Sequence, residues 1–438
     1  MSDFPPGPGL LSLARMMLQP TYTRDQMVRD YGDPCSFPTA FGRMFVVTAP
    51  DGVKAIFTAD TEIFAASAAE AFSGLLSMSV LVTHGAQHRR QRKLLAPPFH
   101  GARMRAYGQL MQRLAIEWGG RLTVGQPVAM IDTTQAITLD VIIEAVFGVD
   151  AAPGHGQSDR VAEFRRELLA LLAAFSPLVF VKPLQHEMFG LSPWAKFRRS
   201  YDALGRLVLT VANERRQNAA DRQDILSLLL SAKDEDGQGL SDREILDQLL
   251  TIVLAGHETT AVMLAWAMYL LHGNPDTLGR LREEFATLPA DADPEAIAKL
   301  PYLEAVINET LRLYPPVHVI HRRLLAPMTL CGYNLPAGTV VAAGAYATHR
   351  LADIYPDPDR FVPQRFIDRT YTPFEFLPWG GGARRCLGAA FAMYEMKLVL
   401  FALLTRYRFK LLEKGPVALA HRPGTVGPKG GIRMRREA

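Results

Sequence analysis

The segment from Ser241 to Gly273 constrains the fold more than any other part of the sequence. Ser241 followed three residues later by Glu244 is the pattern of a capping box, in which two residues at a helix start satisfy each other's backbone N–H groups. The second half of the segment is apolar on nearly every face. A helix without a polar face is usually buried on all sides. We therefore expect this helix to run through the core of a mainly helical domain.

Shorter patterns complete the predicted architecture. The stretch PYLEAVINETLRLYP is helical and ends at Pro315, and a second apolar helix follows Cys386 directly. The strand-like pieces are short: FGRMFVVTAP near the start, and the range 328–346, where turn residues at Gly332 and 336–338 favour a hairpin. No linker, repeat or break in composition marks a boundary. The sequence therefore predicts one folding unit over residues 1–438, mainly α with small β-sheets (α+β).

The composition excludes several classes of protein. The 438 residues include 48 basic and 44 acidic side chains, and the net charge of +4 is too small to indicate nucleic-acid binding. The 3 cysteines form no paired CxxC motif, which favours a reducing, cytoplasmic compartment, with Cys35 and Cys331 as small buried side chains. The longest apolar run, 168–181, is too short to span a bilayer, and the N-terminus lacks the basic start of a signal peptide. We therefore expect no integral membrane anchor.

The stretch FLPWGGGARRCLG, residues 376–388, places a cysteine in an open and basic turn. It lacks the lysine and the spacing of a phosphate-binding P-loop, and no second cysteine stands nearby to resolve a redox disulfide. A metal-bound thiolate remains, because Arg384, Arg385 and the following helix start all favour deprotonated Cys386. Haem iron accepts a single cysteine thiolate, and the glycines would let a flat cofactor approach the backbone. On this stretch alone, an inert buried cysteine would be the favoured interpretation.

Two further motifs combine charged and apolar residues. In NETLRLYPP, Glu309 and Arg312 share a helix face, and Arg365 in FVPQRF could complete a buried network with them. In AGHETTA, Glu258 and Thr259 lie among apolar residues of the long helix. A single ion pair is usually solvated, and a core threonine often bonds its own helix, but glutamate is rarely buried unless paired. The zinc-protease motif HExxH is excluded because its second histidine is missing.

Together and in this order, FLPWGGGARRCLG, AGHETT, ETLR and FVPQRF resemble the motifs of the cytochrome P-450 haem-thiolate monooxygenases, in their soluble bacterial form. The resemblance covers almost the whole chain, including GAQHRRQRKLLAPPF (85–99) and the range 224–245, which is similar to the lead into the family's oxygen-binding helix. It implies the cytochrome P-450 fold, a triangular helical prism enclosing one haem, as a single haem domain without a fused reductase. It also implies haem b as cofactor, O2 as co-substrate, and electrons from NAD(P)H through separate redox partners.

The resemblance implies a role for each matching residue. Cys386 would be the axial ligand of the haem iron, and Thr259 with Glu258 would deliver protons to dioxygen. A further propionate contact would come from Arg322 or Arg323, of which we expect Arg322. The other implied cofactor contacts are His88, Arg92, Gly256, Trp379, Gly382, Arg384 and Gly388. The implied structural triad, which would support the loop that carries Cys386, is Glu309, Arg312 and Arg365.

Trp379 departs from the family pattern, in which a phenylalanine stands seven residues before the cysteine. Its indole ring carries an N–H donor. A hydrogen bond from that N–H to the Cys386 sulfur would weaken electron donation to the iron and shift the haem potential. Simple aromatic packing is the alternative interpretation, and it predicts that a Trp379→Phe variant keeps the potential unchanged.

The implied reaction is insertion of one atom of O2 into an apolar small molecule, such as a terpenoid, steroid, fatty acid or polyketide-like compound. Alternatives within the family are a peroxide-dependent haem peroxygenase or a haem isomerase, and a non-enzymatic alternative is a haem-based sensor. The intact Glu258–Thr259 pair favours the dioxygen route. The implied substrate contacts are mostly apolar, namely Phe72, Leu81, Phe175, Phe180, Ala255, Val317, His318, Val319, Thr425 and Val426.

The resemblance also implies a separate electron donor, a ferredoxin or flavodoxin with its reductase. An acidic donor would bind to a basic surface. The candidate side chains for such a surface are Arg89, Arg90, Lys93, Arg385 and Lys397. We expect the protein itself to be a monomer.

Overall fold

Helices dominate the part of the chain that the computed structural model describes, which is residues 4–8, 30–39, 42–66, 76–99, 102–148, 158–174, 179, 185–186, 192–217, 224–422 and 424–437. In chain order the helices are α1 (Pro50–Thr58), α2 (Gly85–Leu95), α3 (Ala102–Arg121), α4 (Met130–Phe147), α5 (Ser158–Ala174), α6 (Pro193–Gln217), α7 (Ile225–Ser231), α8 (Asp242–Gly273), α9 (Pro275–Phe285), α10 (Pro294–Ala298), α11 (Pro301–Leu313), α12 (Ala345–Thr348), α13 (Arg365–Asp368) and α14 (Ala389–Arg406). The predicted helices around Glu309 and after Cys386 are confirmed as α11 and α14.

Short strands form small sheets beside these helices. The strands are β1 (Cys35–Thr39), β2 (Gly42–Val47), β3 (Phe64–Ala66), β4 (Pro127–Ala129), β5 (Ile320–Leu324), β6 (Met328–Leu330), β7 (Tyr333–Leu335), β8 (Val340–Ala343), β9 (Phe409–Leu411), β10 (Leu419–Arg422), β11 (Thr425–Pro428) and β12 (Arg433–Arg436). A 5-stranded sheet has the order β1-β2-β8-β5-β3, in which only the β2–β8 pair is parallel. The smaller sheets are β4-β12-β9, β10-β11 and β6-β7.

The chain divides into two compact units, each assembled from separate stretches of sequence. The first comprises Met1–Ser67, Gly108–Ile137 and Thr259–Ala438, and the second comprises Ala68–Tyr107 and Thr138–Glu258. That residues 1–438 form one haem domain stays a prediction.

The core of the first unit reaches the stretch that carries Cys386. Helix α1 packs on the 5-stranded sheet, and Phe45, Ile56 and Val341 are fully buried there. Leu377, nine residues before the cysteine, belongs to the same buried cluster. The apolar core of the sheet therefore also holds the start of the cysteine loop, residues 376–388.

The long helix begins as predicted. The Ser241 N–H donates to Glu244 Oε2 at 3.0 Å, and the Glu244 N–H donates to Ser241 Oγ at 3.3 Å, which confirms the capping box. By length and composition this helix, Asp242–Gly273, could cross a membrane, but 67% of its most apolar window is buried inside the protein. Such burial is typical of a core helix, so the apolar composition is weak evidence for a membrane span.

The predicted hairpin is confirmed, but one cysteine prediction is wrong. Strands β6 and β7 pair antiparallel, and the turn residues Cys331 and Gly332 have φ values of 51° and 80°. Left-handed backbone at both central residues is the turn geometry that fits the twist of a two-residue hairpin. Because it projects from this turn, Cys331 is exposed rather than buried, whereas Cys35 is buried as expected.

Candidate active site

The loop before α14 presents Cys386 at the surface of the described protein. Its backbone N–H donates to the Trp379 carbonyl at 2.7 Å, and the Arg385 N–H donates to the Gly382 carbonyl at 3.0 Å. Residues Gly382–Arg384 form a single 3-10 turn, and α14 starts three residues after the cysteine. These bonds hold the backbone while the Cys386 side chain is exposed. The loop can therefore present its sulfur to a ligand near a helix N-terminus, which favours a thiolate.

Two glycines of this loop, Gly381 and Gly382, are required by packing against α1. A Cβ at Gly381 would lie 2.0 Å from the Phe57 ring, and one at Gly382 would lie 2.2 Å from the Phe57 carbonyl oxygen. Gly382 also has a φ of +62°, which side chains rarely adopt. At Gly388, in contrast, nothing lies within 4 Å of an added Cβ. Protein packing therefore explains why Gly381 and Gly382 are glycines, and the cofactor contacts of Gly382 and Gly388 stay predictions.

Arg322 of β5 is buried beside the cysteine loop. Its guanidinium donates to the carbonyls of Ile56 at 3.0 Å and Gly381 at 2.6 Å, and 4% of the residue is exposed. Its Nε atom is buried without a hydrogen-bond partner among the described residues. Burial, followed by the positive charge of Arg384, lowers the pKa of Arg322 to about 10.

Among the described residues, no carboxylate is paired with Arg322, and the positive charge of Arg384 lies close to it. A carboxylate of a bound ligand would satisfy the free Nε atom of Arg322. The residues present therefore fit the propionates of the haem that the sequence led us to expect, for which Cys386 would supply the iron ligand. Arg323 instead donates to the Gly338 carbonyl at 3.3 Å, so Arg322 is the better placed of the two candidates.

The predicted cluster of Glu309, Arg312 and Arg365 is brought together in the structure. Arg312 Nε lies 2.7 Å from Glu309 Oε2, and Arg365 Nε lies 3.1 Å from Glu309 Oε1. Glu309 and Arg312 are fully buried, and Arg365 is nearly so. Arg312 also donates to the carbonyls of His349, Pro358 and Arg360, at 2.8, 2.7 and 3.1 Å. Every charge in this cluster is therefore paired, which is the condition for burying charges at acceptable cost.

His349 links this cluster to the cysteine loop and was not found in the sequence. The Leu377 N–H donates to His349 Nε2 at 2.8 Å, so the other ring nitrogen, Nδ1, carries the proton and donates to the Arg312 carbonyl at 3.1 Å. The ring is fully buried. Burial, followed by the charge of Arg312, lowers its pKa from 6.5 to about 3. The stretch GAYATHR offers no spacing that marks this histidine as special.

We expect His349 to make the protein sensitive to acid. A base whose folded pKa is depressed supports folding fully above its unfolded pKa, and this support is lost as the pH falls towards the folded value. The window here runs from pH 6.5 to about 3. The unfolding free energy should fall by about 1.4 kcal/mol per pH unit within it, or about 2 kcal/mol by pH 5.

Chemical denaturation at several pH values measures this loss. The His349→Gln variant should show a shallower dependence between pH 6.5 and 5 than the parent protein. His84→Gln, at an exposed histidine, should keep the parent dependence. Equal slopes for His349→Gln and the parent would contradict the assignment.

Two threonines of α4 bond the long helix close to the predicted proton-delivery pair. Within the first unit, Thr134 Oγ1 donates to the Ala261 carbonyl at 2.9 Å. Within the second, Thr138 Oγ1 donates to the His257 carbonyl at 3.1 Å and therefore accepts from His257 Nδ1 at 3.0 Å. These bonds fix the helix backbone on both sides of residues 258 and 259.

Gly256 lets α4 approach the long helix. A Cβ at Gly256 would lie 3.1 Å from Ile142 Cδ1, a tight contact that a small shift of the isoleucine side chain would relieve. Its role in leaving room for dioxygen stays a prediction. Ala255 is exposed in a largely buried helix, and Glu258 and Thr259 are half-buried. The helix therefore has an uncovered face at these positions.

The remaining predicted contacts differ in burial. His88 is buried and Arg92 is half-buried, one turn apart in α2 of the second unit. Val317 is 40% exposed, His318, Thr425 and Val426 are buried, and Val319 is half-buried. Leu81 is exposed. Phe72, Phe175 and Phe180 lie outside the described residues.

The predicted basic docking surface is wrong at Lys397. That residue is 5% exposed, and its Nζ donates to the Ala298 carbonyl at 2.6 Å and pairs with Glu304 at 2.7 Å. Its position on the core side of α14 explains the error, because an 18-residue helix buries one face whatever charge stands there. Arg90 is half-buried and pairs with Asp234 and Glu244, at 2.5 and 3.1 Å. The exposed members of the set are Arg89, Lys93 and Arg385.

Comparison with known proteins identifies the family of this chain. A family model described as Cytochrome P450 matches residues 5–434. Cytochrome P450 137 of Mycobacterium tuberculosis is 35% identical over 418 residues, 94% of this chain and 84% of that protein. Cytochrome P450 135B1 of Mycobacterium bovis is 35% identical over 413 residues, 92% of this chain and 84% of that protein. The structure of retinoic acid-bound cyanobacterial CYP120A1 has a TM-score of 0.86 and 26% identity, with 99% of both chains covered.

The chain therefore belongs to the cytochrome P-450 family. This family consists of haem-thiolate monooxygenases, so the protein is an oxidoreductase with haem b as its cofactor. It uses O2, and its electrons come from NAD(P)H through redox partners. The relatives are bacterial, as the sequence led us to expect. The predicted fold class, mainly α with small sheets, is confirmed.

Proposed function

We propose that the protein inserts one atom of O2 into an apolar small molecule, with electrons from a separate ferredoxin or flavodoxin and its reductase. The observation that carries the proposal is the loop that presents Cys386 beside the guanidinium groups of Arg322 and Arg384. This arrangement suits a flat dianionic cofactor bound through its metal. When bound, haem supplies the oxygen-activating chemistry, which a thiolate ligand promotes by electron donation.

In the proposal, Cys386 binds the iron, and Arg322 and Arg384 bind the propionates. Arg322 is held by two backbone carbonyls, so it is already oriented before a propionate arrives. In the second unit, His88 and Arg92 take the further propionate contacts that the family resemblance implies. Trp379, Gly382, Gly388 and Gly256 complete the implied cofactor contacts. Glu309, Arg312 and Arg365 hold the loop in place and take no part in the chemistry.

Glu258 and Thr259 are the residues we assign to proton delivery. A carboxyl group next to a hydroxyl group can pass protons into a site from which bulk water is excluded. The bonds from Thr134 and Thr138 to the same helix support this assignment, because they fix the backbone beside the pair.

We expect the Thr259→Val variant to lower product formation by roughly 100-fold, the usual contribution of a positioned proton donor. Electron consumption should continue, with hydrogen peroxide released in place of product. The ratio of product to NAD(P)H consumed measures this effect. Thr260→Val, at the neighbouring buried hydroxyl, should keep the parent ratio, and equal losses in both variants would contradict the assignment.

The substrate that we propose is largely hydrophobic, of the terpenoid, steroid, fatty acid or polyketide-like classes. The support is the apolar character of Val317, Val319, Val426 and Ala255 among the implied contacts. CYP120A1, whose structure is similar, was solved with retinoic acid bound. That ligand is an apolar isoprenoid skeleton with one carboxylate, which is compatible with the proposed class.

The proposed electron donor is acidic and binds to exposed basic side chains. Arg89, Lys93 and Arg385 remain as candidates among the described residues, and Lys93 is paired with Glu235 at 2.7 Å. Replacing Arg385 by glutamate should slow reduction at low salt more than at high salt. We also propose that the protein is cytoplasmic, in keeping with its few cysteines. We propose in addition that it is a monomer.

Isotopically labelled dioxygen tests the proposed reaction. Holoprotein supplied with NAD(P)H, a ferredoxin and its reductase should place one labelled atom in the product and the other in water. Label that enters the product from hydrogen peroxide but never from dioxygen would favour the peroxygenase alternative. Conversion without any label would favour a haem isomerase, and haem binding without turnover would favour a sensor.

A further inference from the structure

His318 is a buried histidine whose ring makes no hydrogen bond. It is 3% exposed, and within the described part of the chain neither Nδ1 nor Nε2 has a hydrogen-bond partner. The ring stacks on Tyr346, with centroids 4.6 Å apart and planes inclined by 25°. The guanidinium of Arg350 lies 3.6 Å from the centroid of the same Tyr346 ring. Aromatic stacking therefore fixes the plane of His318, while its polar edge is left unsatisfied.

Thr425 carries a second unsatisfied group on the adjoining segment. It is 7% exposed, and its Oγ1 atom is buried without a hydrogen-bond partner among the described residues. The next residue, Val426, donates its backbone N–H to the Pro316 carbonyl at 3.0 Å. This bond joins β11 to the segment of chain that carries His318. Both polar groups therefore lie on adjoining segments of the first unit that this bond holds together.

Leaving a buried polar group unpaired destabilises a protein, so such groups call for an explanation. A ligand atom that completes the hydrogen bonds is one explanation. We infer that His318 and Thr425 form a hydrogen-bonding subsite for an oxygen substituent of the substrate. The inference rests on the proposed function, because it assumes that an apolar molecule binds at the substrate contacts implied by the family resemblance.

The subsite narrows the class of substrate. A purely hydrocarbon molecule would leave both groups unpaired, so it would bind less well than the same skeleton with an oxygen function. An imidazole and a hydroxyl can each donate to a carboxylate or carbonyl oxygen, and each can accept from a hydroxyl group. The expected substrate is therefore amphipathic, with one carboxylate, carbonyl or hydroxyl group on an apolar skeleton.

Spectral binding titrations on holoprotein test the inference with matched pairs of ligands. Each pair contains an oxygen-bearing molecule and its oxygen-free counterpart: retinol and the parent hydrocarbon, lauric acid and dodecane, a hydroxysteroid and its deoxy form. The parent protein should bind the oxygen-bearing member of at least one pair about tenfold more tightly. In His318→Phe, which keeps the stack on Tyr346, and in Thr425→Val, which keeps the shape, that preference should fall about 3- to 10-fold.

A control variant and a second measurement separate this role from a structural one. Val426→Ala should weaken both members of a pair alike, because it removes apolar contact only. Ligand-free His318→Phe and Thr425→Val should unfold at temperatures equal to or above that of the parent, because each removes an unsatisfied group.

The inference is overturned if the parent protein prefers the oxygen-bearing member of no pair, or if the preference survives in both variants. It is also overturned if the two ligand-free variants unfold at lower temperature, which would indicate a structural partner for these groups. The absorption spectrum of each reduced, CO-bound holoprotein distinguishes a failure of this inference from a failure of the proposed function. A missing thiolate band would overturn the proposed function, whereas an intact band without any preference would overturn the subsite alone.

Discussion

Replacing Cys386 by serine should abolish the red-shifted absorption band that a thiolate-bound, reduced and CO-bound haem produces. A serine hydroxyl is a harder and much weaker electron donor than a thiolate, so the iron would lose the ligand that promotes O–O cleavage. Changes in groups that only orient a metal ligand already cost about 10- to 100-fold in affinity or activity. Loss of the ligand itself should therefore lower product formation by more than about 100-fold. Absorption spectra of the dithionite-reduced protein under CO measure the band, and product assays measure the rate.

The chain provides a matched control for this variant. Cys331 is also an exposed cysteine of the first unit, but it lies on the turn of the β6–β7 hairpin. Cys331→Ser should keep both the thiolate band and the parent rate. The assignment of the iron ligand would be contradicted by a thiolate band in Cys386→Ser, or by its loss in Cys331→Ser.

Replacing Glu309 by alanine should cost about 3–5 kcal/mol of unfolding free energy, the loss typical when one partner of a buried ion pair is removed. Arg312 is fully buried and would keep only its carbonyl partners, and Arg365 would lose its ion-pair partner as well. The Val362 N–H, which donates to Glu309 Oε1 at 2.9 Å, would also be left unpaired. Because Arg312 and His349 bond each other, the damage should extend to the cysteine loop. Urea denaturation measures the stability, and the haem absorbance per protein measures cofactor retention.

Two further variants define the cause of that loss. Glu309→Gln keeps the shape and removes the charge, so its stability should lie between those of the parent and Glu309→Ala. Asp202→Ala removes an ion pair with Arg198 on the exposed surface of α6, and should cost at most about 1 kcal/mol. If Glu309→Ala lowers the unfolding free energy no more than Asp202→Ala does, the buried cluster stabilises the fold no more than a surface ion pair.

Features that depend on neighbours in sequence were predictable from the sequence. The capping box at Ser241 and the Glu309–Arg312 pair both rest on a spacing of three residues in a helix, and helical geometry brings such residues together. The hairpin at Gly332 follows from turn residues between two short strands. Arg365 was a less local prediction, since it joins Glu309 from another segment, and it rested on the order of motifs rather than on spacing.

Features that depend on distant segments were missed or wrongly assigned. His349 is connected to Arg312 and Leu377 by hydrogen bonds that no periodicity of the sequence predicts. The close packing of Gly381 and Gly382 against Phe57, which is more than 300 positions away in the chain, was also missed. Lys397 was assigned to a basic docking surface, yet it lies inside with Glu304 and the Ala298 carbonyl as partners.

The sequence by itself determined the class of protein, because the cysteine loop, the acid–hydroxyl pair and the Glu–Arg pair are each short enough to be recognised along the chain. It also determined the long central helix, whose pattern and cap are local. Only the tertiary structure decided which charges are buried, why Gly381 and Gly382 cannot carry side chains, and that His318 and Thr425 have no hydrogen-bond partner among the described residues. The physical reason is that burial and hydrogen-bond satisfaction depend on which distant segments pack together, and local spacing does not encode that packing.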